Sequence, residues 1–240
     1  LLYVQNKDNS IFRLRYRFDM GTWNNKKLGV AAQYLQFLGT DKMSAEEITK
    51  AFYKIACSFT VNAGSEFTTV TIEGLQDNFG AAVKLFEEVL KNCKGDENAL
   101  KSLKARITKS RTDAKANKGA IMNGLVSYAR FGSSNPFNYV LSDEELKNIT
   151  AGELVEILHD LNSYSHKVLY YGPQPLSQLA AGLKTIHRVP ATFKVTAEKM
   201  KFAPAAQTNN QILFADYNMV QSEIRWVRNT TAYSADKEPV

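Results

Sequence analysis

Three histidines, two cysteines and a row of alternating arginines are the side chains of this chain with the most chemistry to offer. A hydrolytic metal site needs about three ligands from His, Cys, Asp or Glu and an open position for water. His159, His166 and His187 lie late in the chain, Cys57 and Cys93 lie early, and no ligand-pair spacing joins them. Each has a plainer reading. His159 falls near a helix end, where it can answer the helix dipole. His166 opens a strand, and His187 ends a helix beside Arg188. Cys57 reads as a small buried residue and Cys93 sits near a helix end; two cysteines make no disulfide framework and fix no redox compartment. No Gly-x-Ser-x-Gly elbow supports a nucleophilic triad, and no Gly-x-x-x-x-Gly-Lys loop would cradle a phosphate.

The arginines are sharper. Arg13, Arg15 and Arg17 alternate with Phe12, Leu14, Tyr16 and Phe18, so they share one face of a strand. Like charges in a row repel unless acids or a ligand answer them. Two readings stay open: pairing with neighbouring strands through Glu66 or Glu73, or a ligand on that face. A second basic run, Lys101, Lys104, Arg106, Lys109, Arg111, Lys115 and Lys118, reads as the solvated face of a helix. The net charge of +6 suits an acidic partner, but no recognition motif for nucleic acid accompanies it, so no nucleic-acid partner is expected.

The elements that must hold these residues follow from periodicity. At 240 residues and 44% hydrophobic, the chain can bury a full core. It has no apolar run of about 18 residues and hence no expected membrane span. It opens at Leu1 without a signal-like block, as an excised piece or processed product would. Leu1–Asn6 and Ile11–Met20 read as a β-hairpin around Lys7-Asp8-Asn9-Ser10. A helix covers about 26–38, and another begins at Ser44, which can form a capping box with Glu47. Cys57–Asn62 and Phe67–Glu73 read as paired strands, and Asn78 as the cap of a helix over 79–91. Helices follow over 97–116, with a stripe of Leu100, Leu103, Ile107, Ser110 and Ala114, and over 120–130, 142–148 and, capped by Thr150, 151–161. A strand at 166–171 and a helix at 175–187 close the set. This order predicts an α+β fold, an antiparallel sheet with helices packed on one face.

Residues 188–210 turn polar and irregular and read as a linker between a domain at 1–187 and a tail at 211–240. In the tail, Ile212-Leu213-Phe214 resembles Leu1-Leu2-Tyr3, and Glu223-Ile224-Arg225-Trp226 resembles Ile11-Phe12-Arg13-Leu14. The tail is thus expected to be the first hairpin of a second, incomplete copy.

One stretch gives the organisation a family likeness. Gly29-Val30-Ala31-Ala32-Gln33-Tyr34-Leu35-Gln36-Phe37-Leu38-Gly39-Thr40 resembles the segment G-x-A-H-F-x-E-H-x-x-F-x-G-T of the pitrilysin (insulinase-like, processing-peptidase-like) zinc peptidases. The likeness extends through Ser44-Ala45-Glu46-Glu47, Cys57–Asn62, Gly74-Leu75-Gln76-Asp77-Asn78-Phe79 and Tyr170-Tyr171-Gly172. It implies the LuxS/MPP-like metallohydrolase fold, in proteins usually built of four such domains enclosing a chamber. Where the family places its two histidines and glutamate, this chain has Ala32, Leu35 and Gln36. No glutamate falls between Glu97 and Glu144 to serve as the distal ligand. The resemblance therefore implies a degenerate domain, the third of four joined to the start of the next, with no catalytic residue and no metal of its own. Zinc would belong to another domain. The implied partners are a peptide substrate and the zinc-bearing half of the same protein or a partner subunit, with no membrane. Arg13, Arg15 and Arg17 would face the chamber as a weak substrate-binding surface. The alternative is a structural or scaffolding subunit of the same fold with no peptidase role.

Overall fold

Strict alternation in Ile11–Phe18 makes this strand, β2, the middle of the sheet: its even residues are buried and its odd residues exposed. The computed structural model describes residues 1–218 and 222–230. Around β2 stand β1 (Leu2–Gln5), β3 (Cys57–Ala63), β4 (Thr68–Leu75) and β5 (His166–Gly172), in the order β1-β5-β2-β4-β3. The α+β expectation holds, and the sheet is antiparallel except where β1 joins β5 in parallel.

That exception corrects the opening hairpin. β1 does not pair with β2; β5 lies between them, with Tyr3 opposite Tyr170 and Tyr16 opposite Val168. A strand beside the central one must supply an inward apolar stripe. β5 does so with Tyr170, whereas Leu2 and Val4 of β1 remain more than half exposed and suit an edge. Asn6, buried after β1, donates its amide hydrogen to the Gly172 carbonyl (2.8 Å) and turns the chain with Asn9.

The helices α1 (Leu28–Tyr34, continued by a 3₁₀ turn at Leu35–Phe37), α2 (Ala45–Lys54), α3 (Phe79–Asn92), α7 (Ala151–His159) and α8 (Leu176–Ile186) build the layer over the buried face. α1 packs on α7 and β3, and α3 on β4, α7 and α8. Their stripes meet the sheet through aromatic contacts: Phe79 sits edge-on to Phe12 at 5.0 Å, and Phe59 lies between Phe52 and Phe86 at 4.9 and 5.2 Å. Both α2 and α7 start with a complete capping box, Ser44 with Glu47 and Thr150 with Glu153; α6 (Asp143–Asn148) does the same through Ser142 and Glu145. Asn78 does not cap α3. Its side-chain amide donates instead to the Ile55 carbonyl at 2.8 Å, tying the helix start to the end of α2.

Contacts gather the chain into two units, residues 1–105 with 141–200, and residues 106–140 with 201–240. α4 (Glu97–Lys115) runs from the first into the second, and only Leu100 and Leu103 of its expected stripe are buried. The second unit also holds α5 (Lys118–Phe131), none of whose residues is buried. Gly132 ends α5 at φ +78°, a left-handed conformation that glycine adopts without strain. The tail differs from its expectation. Gln211–Asp216 and Glu223–Arg228 form no strand. They are held by polar contacts, among them Tyr217 Oη to the Ala116 carbonyl (2.8 Å), Asn229 Nδ2 to the Arg130 carbonyl (2.9 Å) and a Lys118–Glu223 ion pair (3.2 Å). Residues 219–221, in the turn expected between these two segments, and the end of the tail beyond residue 230 lie outside the described residues.

Candidate functional site

The Gly29–Thr40 segment forms α1 and its 3₁₀ extension, and its parts serve different ends. Gly39 and Thr40 build a turn. A Cβ on Gly39 would stand 2.7 Å from the Met43 carbonyl oxygen, and the Thr40 hydroxyl accepts the Lys42 and Met43 backbone hydrogens at 3.2 Å each. That turn joins α1 and its 3₁₀ extension to α2. The middle of the segment faces apolar surroundings. Ala32 lines a small cavity with Leu28, Ala31, Val61, Leu158 and Leu161, and Leu35 is buried in the core. Gln36 is exposed and gives its amide to the Gln33 carbonyl at 3.0 Å. Tyr34 reaches across to the residue before α4, donating to the Asp96 carbonyl and accepting from its amide at 2.7 Å, and burial pushes its pKa up.

These residues do not fit a zinc ion. Ala32 and Leu35 have no side-chain donor atom, Gln36 is exposed, and among the described residues no second element completes a ligand set with them. Among the described residues no group of three or more His, Cys, Asp or Glu is placed to hold a metal ion. Cys93 is fully buried, and burial pushes its thiol up to about 11, far from a thiolate that would ligate or attack. His159 lies 3.0 Å from the Cys93 carbonyl at the end of α7.

The exposed face of the sheet carries the arginine row. Register places Arg13 opposite Glu73 and Tyr171, Arg15 opposite Thr71 and Leu169, and Arg17 opposite Thr69 and Lys167. Arg13 pairs with Glu73 at 2.7 Å, as pairing across strands requires. Glu66 plays no part in the row; it is taken by Lys199. Arg17 stands 3.5 Å from Asp19 and lays its guanidinium 4.3 Å from the centre of the Phe67 ring, while Asp19 also takes Lys167 at 2.8 Å. Arg15 has no ion-pair or hydrogen-bond partner among the described residues. The two readings of the row thus divide: its ends are paired, its middle is free. On one side of Arg15 the face is apolar, with Leu2, Val4, Leu169 and Tyr171; on the other it carries Thr60, Thr69, Thr71 and Asn62. The second basic run is mostly engaged. Lys104 donates to the Lys147 and Ile149 carbonyls at 2.8 and 2.6 Å, and Lys109 pairs with Asp113 at 3.1 Å.

One cluster escaped sequence reading. His166 and His187, 21 residues apart, meet with Nε2 atoms 2.7 Å apart, and His187 Nδ1 lies 2.6 Å from Glu87 Oε1. Glu87 was visible as a charge within an apolar stripe, four residues after Val83 and three before Leu90; that a helix end would bring His187 over it was not.

No curated protein matches the sequence. Among solved structures, an inactive domain of a peptidase M16 from Pseudomonas fluorescens is 19% identical with a TM-score of 0.66, over 82% of this chain and 51% of that one. The periplasmic protease PqqL from Escherichia coli is 12% identical with a TM-score of 0.69, over 84% of this chain and 23% of that one. A protease from Helicobacter pylori is 13% identical with a TM-score of 0.67, over 85% of this chain and 51% of that one. These likenesses show a shared fold, and the chain spans about half the length of the first and third and under a quarter of the second. The model of the insulinase family matches residues 22–141, from the turn before α1 to the approach to α6. With half of its residues so matched, the chain belongs to the insulinase family of peptidases, peptidase family M16.

Proposed function

We propose that this chain is a non-catalytic domain of a zinc endopeptidase, helping to enclose and bind peptides that are cut at a zinc site in another domain or subunit. The observation that carries the reading is Arg15, an unanswered cation at the centre of an open sheet face in a family of peptidases. The family membership and the apolar surroundings of Ala32 and Leu35 support a role without chemistry of its own. Hydroxyls, a cation and an apolar strip side by side suit an extended peptide with an acidic residue opposite Arg15. Backbone and apolar contacts would be indifferent to sequence, and the arginine would select.

The test is Arg15→Glu in the full-length protein. An exposed charge contact is worth roughly 0.2–1 kcal/mol, so its reversal should lower kcat/KM several-fold for peptides carrying Asp or Glu. Neutral peptides and the melting temperature should hardly change. Equal losses for all peptides with a lowered melting temperature would make Arg15 a structural residue, and unchanged kinetics throughout would remove the sheet face from substrate binding.

A further inference from the structure

Glu87 on α3, His187 at the end of α8 and His166 at the start of β5 form a chain of contacts that ends on the Tyr164 carbonyl, 2.7 Å from His166 Nδ1. Hydrogens can be counted along it. The carbonyl only accepts, so His166 Nδ1 carries a hydrogen. The two Nε2 atoms, at 2.7 Å, need one between them, and so do His187 Nδ1 and Glu87 Oε1 at 2.6 Å. Three contacts take three hydrogens, whereas two neutral imidazoles and a carboxylate bring only two. The cluster therefore holds one further proton, which balances the charge of Glu87. Its burial makes that balance matter: the side chains of His187 and Glu87 are only 7% and 15% exposed.

We propose that Glu87, His187 and His166 form a proton-holding clasp that fastens the end of α8, and the segment leaving it, to the sheet, and that it opens when pH moves to either side of the imidazole range. The segment is within reach. Phe193 stands edge-on to His166 at 6.2 Å, the Lys194 amide donates to the Ser163 carbonyl at 2.8 Å, and Lys194 pairs with Asp160 at 2.6 Å. The other groups packed on the clasp are Tyr16 of β2, stacked on His187 at 4.4 Å, Phe18, 4.6 Å from His166, and Asn162, which donates to Glu87 at 2.8 Å. Among the described residues the buried Tyr16 hydroxyl has no hydrogen-bond partner within 3.5 Å, and burial, followed by the nearby Glu87 carboxylate, raises its pKa well above the ordinary value, so it adds no charge. Lys167 is engaged outward by Asp19, and Arg188 is exposed.

The direction on each side follows from proton counting. Unfolded, two histidines with ordinary pKa values of about 6.5 and a glutamate near 4.3 hold on average one titrating proton at about pH 6.5. Below that pH the unfolded chain binds more protons than the clasp, so acid favours opening; above it the clasp holds a proton the unfolded chain has lost, so base favours opening. Burial, aided by the charge of His187, pushes the His166 pKa down against the pull of the Tyr164 carbonyl and Glu87, which is the acid flank seen at one residue.

The experiment uses the 240-residue chain. Its unfolding free energy should peak near pH 6.5, and Glu87→Gln and His166→Asn should flatten the peak. Hydrogen-exchange protection of the Lys194 amide, corrected for intrinsic rate, should fall about tenfold from roughly pH 6.5 to 8.5. Imidazole ¹⁵N spectra of the unaltered protein at the peak should show one proton more than two neutral rings, a measurement that stands even if a variant fails to fold. Two neutral rings at that pH, or a pH profile that neither variant changes, would overturn the clasp.

Discussion

The two compact units make the same kinds of helix and bury them differently. In the first, α3 sets Phe79, Ala82, Val83, Phe86, Val89 and Leu90 against a sheet whose facing residues alternate in step. In the second, α5 has Ile121, Met122, Leu125 and Val126 at helical spacing yet buries none of them, and Ile212 and Trp226 in the tail are 97% exposed. The tail's described contacts include hydrogen bonds and a surface ion pair, each worth about 1 kcal/mol net or less, against the larger return of burying whole aromatic rings. An apolar stripe becomes a core only when an apolar surface faces it. The sheet offers one to α3 through β4 and through Phe12 of β2; the described residues offer no such surface to Trp226.

Substitutions can break this comparison. The largest effect should come from Phe86→Ala, which empties a fully buried position between Phe59 and α3's neighbours and should cost about 3–5 kcal/mol in urea unfolding. A loss below about 1 kcal/mol would mean that the first unit is no tighter than the second. Next is Thr150→Ala, which removes the α7 capping box and should cost about 1 kcal/mol. The same boxes carry a pH signature. Backbone hydrogen bonds to Ser44 and Ser142 hold the Glu47 and Glu145 carboxyls below the ordinary 4.5, and Lys27 followed by Thr150 does so for Glu153. Depressed carboxyls stabilise the fold above their unfolded pKa and lose that contribution as pH falls through the folded one, so acid titration should weaken the first unit below about pH 4.5. In Thr150→Ala that decline should be shallower. The smallest effect should be Trp226→Ser, within about 0.5 kcal/mol of no change. A larger loss would show that the tail's rings are buried in solution.

Much of the first unit was legible in the sequence because its signals are local. The alternation of Arg13, Arg15 and Arg17 with apolar neighbours fixed the two faces of β2, and Ser44 with Glu47 announced α2 at the right residue. What failed was non-local. Leu1–Asn6 and Ile11–Met20 look like a hairpin because a turn joins them, and nothing nearby reveals that β5 will take the place between them. The tail failed for a related reason: Ile212, Phe214, Ile224 and Trp226 have strand-like spacing, but a strand also needs a neighbour to complete its hydrogen bonds. At the candidate site, the degenerate positions Ala32, Leu35 and Gln36 were readable residue by residue, whereas the freedom of Arg15 depended on which acids its neighbours had already taken.

The position of β5 bears on how the chain is made. At roughly 5–20 residues per second, a ribosome needs about 7–30 seconds to move from the end of β2 to the start of β5. For that interval one side of the central strand has backbone donors and acceptors with no intended neighbour, while β3 and β4 are completed for the other side well before it ends. A nascent polypeptide in this state exposes a template for intermolecular pairing. Slow, long-separation closure of this kind exposes a chain to aggregation. The arginines that later look outward from the finished sheet are, during synthesis, the charges on that open edge strand, where like-charged copies repel.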